Sequence, residues 1–305
     1  MTAVLDDHAG SPPADCSAVV TILDPGPAAT LQDLGRPGFA HLGITTSGGA
    51  DRSSLTLANR LVGNPGGVPV IESTFGGLTV VLSADRMIAV AGAPADVRID
   101  DRPLAEPRAL LRAGQRLRLG LSTWGLRTYL AVQGGFEADL VFGSASADCL
   151  SGLGTRPLRS GDRLALGEPY GAPPEVPLEL VTPRADPGPL VLDFHWGPRD
   201  RLFSPEDRAA FTTRRWSVSN SCDRVGVRLA GSPLTIGSVD LPSEGMALGA
   251  VQVPPAGEPI VFLADHPVTG GYPVIGVVTE RAVDRLAQAR PGTPVRFSAL
   301  PRGGA

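Results

Sequence analysis

Two stretches of this chain crowd glycine against side chains that could bind and polarise a small molecule. The first, TLQDLGRPGFAHLGITTSGGADRSSLTLANRLVGNPGGVPVIESTFGG (30–77), sets Gln32, Asp33, Arg36, Ser47, Asp51, Asn59, Asn64 and Glu72 among glycines and short apolar runs. The second joins SNSCDRVGVRLAG (219–231) to LPSEGMALGAVQVPPAGEPIVFLADHPVTGGYP (241–273), with Asp223, Arg224, Arg228, Ser243, Glu244, Gln252, Asp265, Thr269 and Tyr272. A guanidinium offers a planar fork to a carboxylate or phosphate. Arg36 can use it on a ligand or on its neighbour Asp33. The glycines before Asp51 suit an anion-binding nest at a helix start, and Asp51 equally suits that helix as its N-cap. Gly270-Gly271, at a strand-to-strand junction, fits either a plain hairpin turn or backbone kept bare for a ligand.

The chemistry this chain cannot do is as informative. All 27 basic residues are Arg, with no Lys in the sequence. That excludes a P-loop lysine, a Schiff base, a biotin-carrying lysine and a Ser-Ser-Lys amidase triad on this chain. His8, His41, His195 and His266 stand apart, and no Cys-x-x-Cys occurs, so no metal site is expected. A Gly-x-Ser-x-Gly nucleophile elbow is missing too. A net charge of −4 without a basic stripe argues against nucleic acid, and no apolar run approaches a membrane span. Cys16, Cys149 and Cys222 are odd in number and far apart, which fits a reducing cytoplasm.

The elements that must position these residues are mostly β. Short runs such as AVVTIL, LTVVL, MIAVAG, RLRLGL, TYLAV, RLALG, LELVT, LVLDF, SVSN, PIVFLA, VIGVV and VRFSAL alternate with turn clusters. Three segments read as helices: 51–62 capped by Asp51, SPEDRAAFTT capped by Ser204 with Pro205 at its first position, and ERAVDRLAQARPG ended by Pro291-Gly292. LRAGQRLRLG (111–120) and LRSGDRLALG (158–167) share one spacing, and ARPGTPVRF echoes it weakly. Each reads as a tight turn leading into a strand. The repetition predicts two related β-domains, joined across the Pro-rich GEPYGAPPEVP (167–177), with TPRADPGP (182–189) as the alternative boundary.

The same two clusters, with IESTFGGLTV, RTYLAVQGG, SCDRVGVRLAG and LAQARPGTPVRF, closely resemble the allophanate hydrolase subunit 2 family. It is also called the biotin-dependent carboxyltransferase, KipA or 5-oxoprolinase C-subunit family. The resemblance runs in order from about residue 20 to 300. It implies a mostly β fold of two cyclophilin-like β-barrel domains, at 19–172 and 189–300, with tails at 1–18 and 301–305 and a linker at 173–188. It also implies a partner of the KipI type, equivalent to the B component of 5-oxoprolinase or to allophanate hydrolase subunit 1, in a heterodimer or a dimer of heterodimers. With a third component, the A type, such a pair would open 5-oxo-L-proline to L-glutamate with hydrolysis of ATP. The alternatives are a urea-type carboxyltransferase, with biotin on another protein, and a regulator that binds a KipI-type kinase inhibitor. On the enzyme reading Arg36, Arg224 and Arg228 would stabilise charge, while Glu72, Gln252, Asp265 and Tyr272 would orient a small amide or carboxylate. The catalytic candidates are thus Arg36, Glu72, Arg224, Asp265 and Tyr272. The binding candidates are Gln32, Asp33, Ser47, Asp51, Asn59, Arg228, Gln252, Thr269, Gly270 and Gly271. Three departures from the family pattern stand out: Thr45 with Gly49-Ala50, Ala145 for an arginine, and His266-Pro267 for an Arg-Gln pair.

Overall fold

The computed structural model describes residues 18–174, 189–236 and 241–301. Residues 1–17 of the expected N-terminal tail, with His8 and Cys16, the LELVT run, nearly all of the expected linker and residues 302–305 lie outside the described residues, whereas Ala18 at the end of that tail is buried in the core. In chain order the first half contributes β1 (Val19–Asp24), β2 (Ala28–Gln32), α1 (Arg52–Leu61), β3 (Val70–Thr74), β4 (Thr79–Leu82) and β5 (Arg86–Gly92). Then come β6 (Ala95–Ile99), β7 (Arg102–Pro103), β8 (Arg108–Leu111), β9 (Arg116–Ser122), β10 (Arg127–Val132) and β11 (Arg163–Ala165). They form one sheet of order β11-β1-β4-β9-β6-β7 and another of order β2-β3-β10-β5-β8. Isolated bridges Gly76↔Leu121 and Phe136↔Leu166 add pairing outside the named strands.

Strand β10 shows why the second sheet is covered on both faces. Its six residues are all buried, and successive side chains point to opposite sides. Leu130 and Val132 enter the core between the sheets with Val20, Ile22, Leu31, Ile71, Val80 and Leu117. Tyr129 and Ala131 instead meet α1, whose Leu55, Ala58 and Leu61, with Val62 at its C-cap, cover that outer face. As expected from sequence, Asp51 caps α1, accepting from the Ser54 N–H at 3.0 Å.

The second half is a closed barrel. Its strands are β12 (Leu190–Trp196), β13 (Trp216–Cys222), β14 (Gly226–Ala230), β16 (Ala250–Gln252), β17 (Ile260–Phe262), β19 (Val274–Val278) and β20 (Pro294–Ala299). Around the barrel they run β12-β19-β16-β17-β14-β13-β20, and β20 returns to β12 in parallel. A separate ribbon pairs β15 (Glu244–Gly245) with β18 (Thr269–Gly270). Helices α2 (Pro205–Thr213, capped by Ser204) and α3 (Glu280–Ala287, capped by Thr279) add Phe211, Val283 and Leu286 to a core holding Phe194, Trp216 and Phe297.

The repeated turn motif has one geometry throughout. In all three copies the N–H of Gln115, Asp162 or Thr293 returns to the carbonyl of Arg112, Arg159 or Arg290, and strands β9, β11 and β20 follow. The glycine between them has φ of 79° at Gly114, 88° at Gly161 and 85° at Gly292, a region that glycine enters without steric cost. Two copies lie in the first half and one in the second.

Candidate functional site

Glu72 sits mid-β3, flanked by Thr30 on β2 and Tyr129 on β10. Alternation along the strand turns it toward the α1 side, beneath the loop that enters the helix. There Glu72 Oε2 accepts from the Ala50 N–H at 3.0 Å and the Tyr129 hydroxyl at 2.9 Å. The Tyr129 hydroxyl in turn accepts from the Asp51 N–H at 2.8 Å. Glu72 Oε1 faces Arg127 Nε at 3.4 Å and Arg224 Nη1 at 2.5 Å. Arg224 comes from the turn between β13 and β14, so the pair ties the two halves together.

Arg224 makes a second fork, with Nε donating to Asp265 Oδ2 at 2.9 Å and Nη2 to Asp265 Oδ1 at 3.1 Å. Its Nη2 also donates to the Gly48 carbonyl. Asp265 accepts further bonds from Ser47 Oγ at 2.7 Å and the Cys149 N–H at 3.0 Å. Ser47 takes φ of 52°, which a non-glycine residue seldom adopts, and this hydroxyl bond helps hold it there. Glu72, Arg224, Asp265, Ser47 and Asp51, drawn from both sequence clusters, thus meet at one buried seam.

The seam's electrostatics favour fixed charge over proton transfer. Burial is the largest single influence and raises both carboxyls, but Arg224 together with the hydrogen bonds they accept, and Arg127 beside Glu72, outweigh it and hold Glu72 and Asp265 below their ordinary values. Burial beside the Glu72 charge pushes the Tyr129 phenol well up, so it stays a donor. Every nitrogen of Arg224 is committed to a carboxylate or a carbonyl, leaving no face of the fork for a ligand anion.

The remaining candidates go elsewhere. Arg36 is buried and does not pair with Asp33: Nε donates to the Val141 carbonyl at 3.2 Å and Nη2 to the Ser146 carbonyl, while Nη1 has no hydrogen-bond partner among the described residues. Asp33 accepts from Gly35 N, Ser144 Oγ, Ala145 N and Ser146 Oγ, so it organises the 144–146 loop. Ala145 meets that carboxylate through its backbone, with no arginine needed. Gln32 donates to the Thr30 hydroxyl and the Ala147 carbonyl. Asn59 and Asn64 bond each other and the carbonyls of Val68 and Val132, which closes the loop after α1. Arg228 is half-buried on β14, remote in pairing from the seam residues.

The Gly270-Gly271 question resolves residue by residue. A Cβ on Gly270 would come within 2.7 Å of Gln252 Nε2 and 3.2 Å of Met246 Sδ, so its bareness serves internal packing. A Cβ on Gly271 would meet only the Leu241 carbonyl oxygen, at 3.9 Å, and Tyr272 is exposed, its carbonyl accepting from Gln252 Nε2 at 3.3 Å. Thr269 is an exposed member of the β15–β18 ribbon. These residues form a satellite of the barrel, apart from the Arg224 network. His266 is buried beside Asp265, its Nδ1 2.8 Å from the Pro267 carbonyl, and burial depresses its pKa.

A cleft of about 340 Å³ opens against the seam between α1 and α3, lined by Gly49, Ala50, Arg52, Ser53, Thr56, Leu57, Arg60, Leu248, Ala264, Glu280, Val283 and Asp284. Asp284 closes its base by accepting from the N–H of Arg52 at 2.9 Å and of Ser53 at 3.3 Å. Among the described residues no group of three or more His, Cys, Asp or Glu could hold a metal ion. Sequence reasoning did not single out Arg127, Tyr129, Asp284 and Gln288 as site residues: Arg127, Tyr129 and Gln288 fall in the runs RTYLAVQGG and LAQARPGTPVRF, but nothing local there marks these side chains as meeting the polar clusters.

Residues 42–299 match the family described as carboxyltransferase domain, subdomain A and B. The chain belongs to this family. It is 37% identical to the C subunit of 5-oxoprolinase from Escherichia coli over 289 residues, covering 92% of this chain and 90% of that protein. It is 31% identical to urea amidolyase of Lachancea kluyveri, covering 97% of this chain but 17% of that protein. Among solved structures, TTHA0988 superposes with TM-score 0.83 at 35% identity, and this chain spans 57% of that one. The K. lactis urea amidolyase gives TM-score 0.86 at 27% identity, over 94% of this chain and 19% of that one. Membership in the carboxyltransferase-domain family agrees with the resemblance drawn from the two polar clusters.

Proposed function

We propose that this carboxyltransferase-domain protein is the C subunit of an ATP-dependent 5-oxoprolinase-type complex that acts on an amide C–N bond in the cytoplasm. The observation that carries the reading is reciprocal coverage. The chain matches the 5-oxoprolinase C subunit nearly end to end, whereas it corresponds to 17% of a urea amidolyase. Its partner on this reading is a KipI-type chain, the B component, joined by the A component. The division into units 19–172 and 189–300 belongs to the same proposal; among the described residues no sheet contains strands from both sides of 173–188.

On this reading the small amide or its carboxylate product meets the chain in the α1–α3 cleft. Arg52, Ser53 and Thr56 line its α1 wall, with Arg52 Nη2 donating to the Ser47 carbonyl at 3.3 Å and Ser53 Oγ donating to Asp284. The Glu72–Arg224–Asp265 network holds the 47–51 loop at that wall, so these are positioning residues. Arg224 offers ATP no free fork, since each of its nitrogens is bonded to a carboxylate or a carbonyl, and Arg36 is buried with two of its three nitrogens on carbonyls. Phosphate handling therefore falls to another component of the complex. Among the described residues no activated nucleophile lines the cleft, and the hydrolytic groups come from the partners.

Co-purification with the KipI-type and A-component chains, followed by an assay of glutamate release from 5-oxoproline and ATP, tests the proposal. Release that requires all three chains is expected. Absence of release with ATP turnover at background overturns it. The carboxyltransferase reading draws support from the likeness to urea amidolyase. It requires biotin on another chain, since this one has no lysine to carry it.

A further inference from the structure

Arg36 and Arg127 are the most deeply buried arginines among the described residues, 1% and 3% exposed. A guanidinium keeps its charge in a protein interior, and a buried charge needs a counter-charge to offset its lost hydration. Arg127 faces the Glu72 carboxylate at 3.4 Å. Arg36 has no equivalent: among the described residues no carboxylate forms an ion pair with it. Asp33, just before it in the chain, is already held by donors from Gly35 N, Ser144 Oγ, Ala145 N and Ser146 Oγ.

Neutral groups fix the Arg36 fork instead. Nε donates to the Val141 carbonyl at 3.2 Å and Nη2 to the Ser146 carbonyl. Gly154 packs against that second bond so closely that a Cβ there would overlap the Ser146 oxygen and come within 2.8 Å of Nη2. The unspent donors are thereby concentrated on Nη1, which is buried and has no hydrogen-bond partner among the described residues. Two carbonyls orient the guanidinium without neutralising it.

We infer that Arg36 Nη1 holds a small inorganic monovalent anion, of the chloride or bicarbonate class, as the counter-ion of this buried guanidinium. The side chain is 1% exposed, so the occupant is enclosed and small, which argues against a nucleotide or a peptide carboxylate. A charge-assisted bond from Nη1 to an anion is stronger than one to water, and only the anion neutralises the site. The ion would act on the seam as well. The loop that Arg36 grips through Val141 and Ser146 runs on to Cys149, whose N–H donates to Asp265 at 3.0 Å. This site does not depend on the function proposed above.

Thermal melting of the full chain at fixed pH and ionic strength, with chloride or bicarbonate replacing gluconate, tests the site. Screening is then constant, and gluconate is too bulky for the enclosure. The wild-type melting temperature should rise by several degrees and follow a saturating dependence on anion concentration, as binding to the folded state requires. The ion that saturates at the lower concentration is the resident one. Arg36→Met removes the charge that needs a counter-ion and should melt at the same temperature in each salt. Bromide-soaked crystals of the wild type, which do not rely on that variant folding, should show an anomalous peak beside Nη1. Equal wild-type melting in every salt overturns the site, and so does an undiminished rise in Arg36→Met. A water at Nη1 with no bromide peak, which would also suit the unpartnered Gln32 Oε1, overturns it too. A bromide peak with no change in melting is an adventitious ion only and overturns the counter-ion.

Discussion

Arg224 shows how a residue can be central without being catalytic. It joins Glu72 in one half to Asp265 in the other, and its side chain is only 12% exposed. Removing one partner of a buried ion pair strands the other, at a cost of about 3–5 kcal/mol. Arg224→Ala should therefore lose stability of that order in urea unfolding, and Arg224→Lys should recover part of it, keeping the charge but not the fork. The pH dependence has a definite sign. Glu72 and Asp265 have folded pKa values depressed below their ordinary 4.5 and 3.8. Their contribution is thus present above those ordinary values and lost as pH falls through the folded ones. Asp51, raised by burial, works in the opposite direction. Wild-type stability should fall between roughly pH 5 and 3, and Arg224→Ala should flatten that fall. Cys149, an exposed residue, offers an independent probe: desolvation of its thiol and the Asp265 charge push it from 9.0 up to about 12. Its reaction with a disulfide reagent at pH 8 should be slower than that of a free thiol by on the order of 10²–10³-fold. Asp265→Asn should speed it.

Among the elements, α3 is the latch between the halves. Gln288, at its C-cap, accepts from the N–H groups of Leu126 and Arg127 through Oε1 and donates to Asp51 and the Arg127 carbonyl through Nε2. Arg290 adds bonds to the Gly125 and Ser122 carbonyls at 2.6 Å each. Gln288→Ala leaves several buried groups unsatisfied and should cost about 1–3 kcal/mol. Hydrogen exchange should quicken at 122–129 and 51–54, with the barrel core unchanged. The helices themselves were legible in the sequence, because caps and apolar spacing are local: Asp51 and Ser204 begin the expected helices. Strands such as β1, β5, β10, β12 and β19 follow their apolar runs. By contrast, β3 and β14 were hidden inside the polar clusters, where Glu72 and Arg228 interrupt the apolar pattern. The polar clusters did announce the seam, yet not its partners: Gln288 and Arg127 act across 161 residues of sequence, and no local pattern encodes such a meeting.

At the scale of the whole molecule, the cleft between α1 and α3 is where small-molecule chemistry should register. Arg52→Gln should lower glutamate release by the assembled complex roughly tenfold and leave partner affinity unchanged. A drop in affinity instead would move the partner interface to the cleft. The barrel carries a different consequence. Its first strand, β12, pairs in parallel with its last, β20, so Leu190 lies opposite Val295. During synthesis the ring cannot shut until its final strand leaves the ribosome, and the α3 latch precedes that strand by only a few residues. The N-terminal half, whose sheets need nothing beyond residue 166, can already be folded by then. Docking of one half on the other is therefore among the last events in making this protein. Truncations or stalled chains ending before Pro294 would expose an open barrel to the cell's proteases.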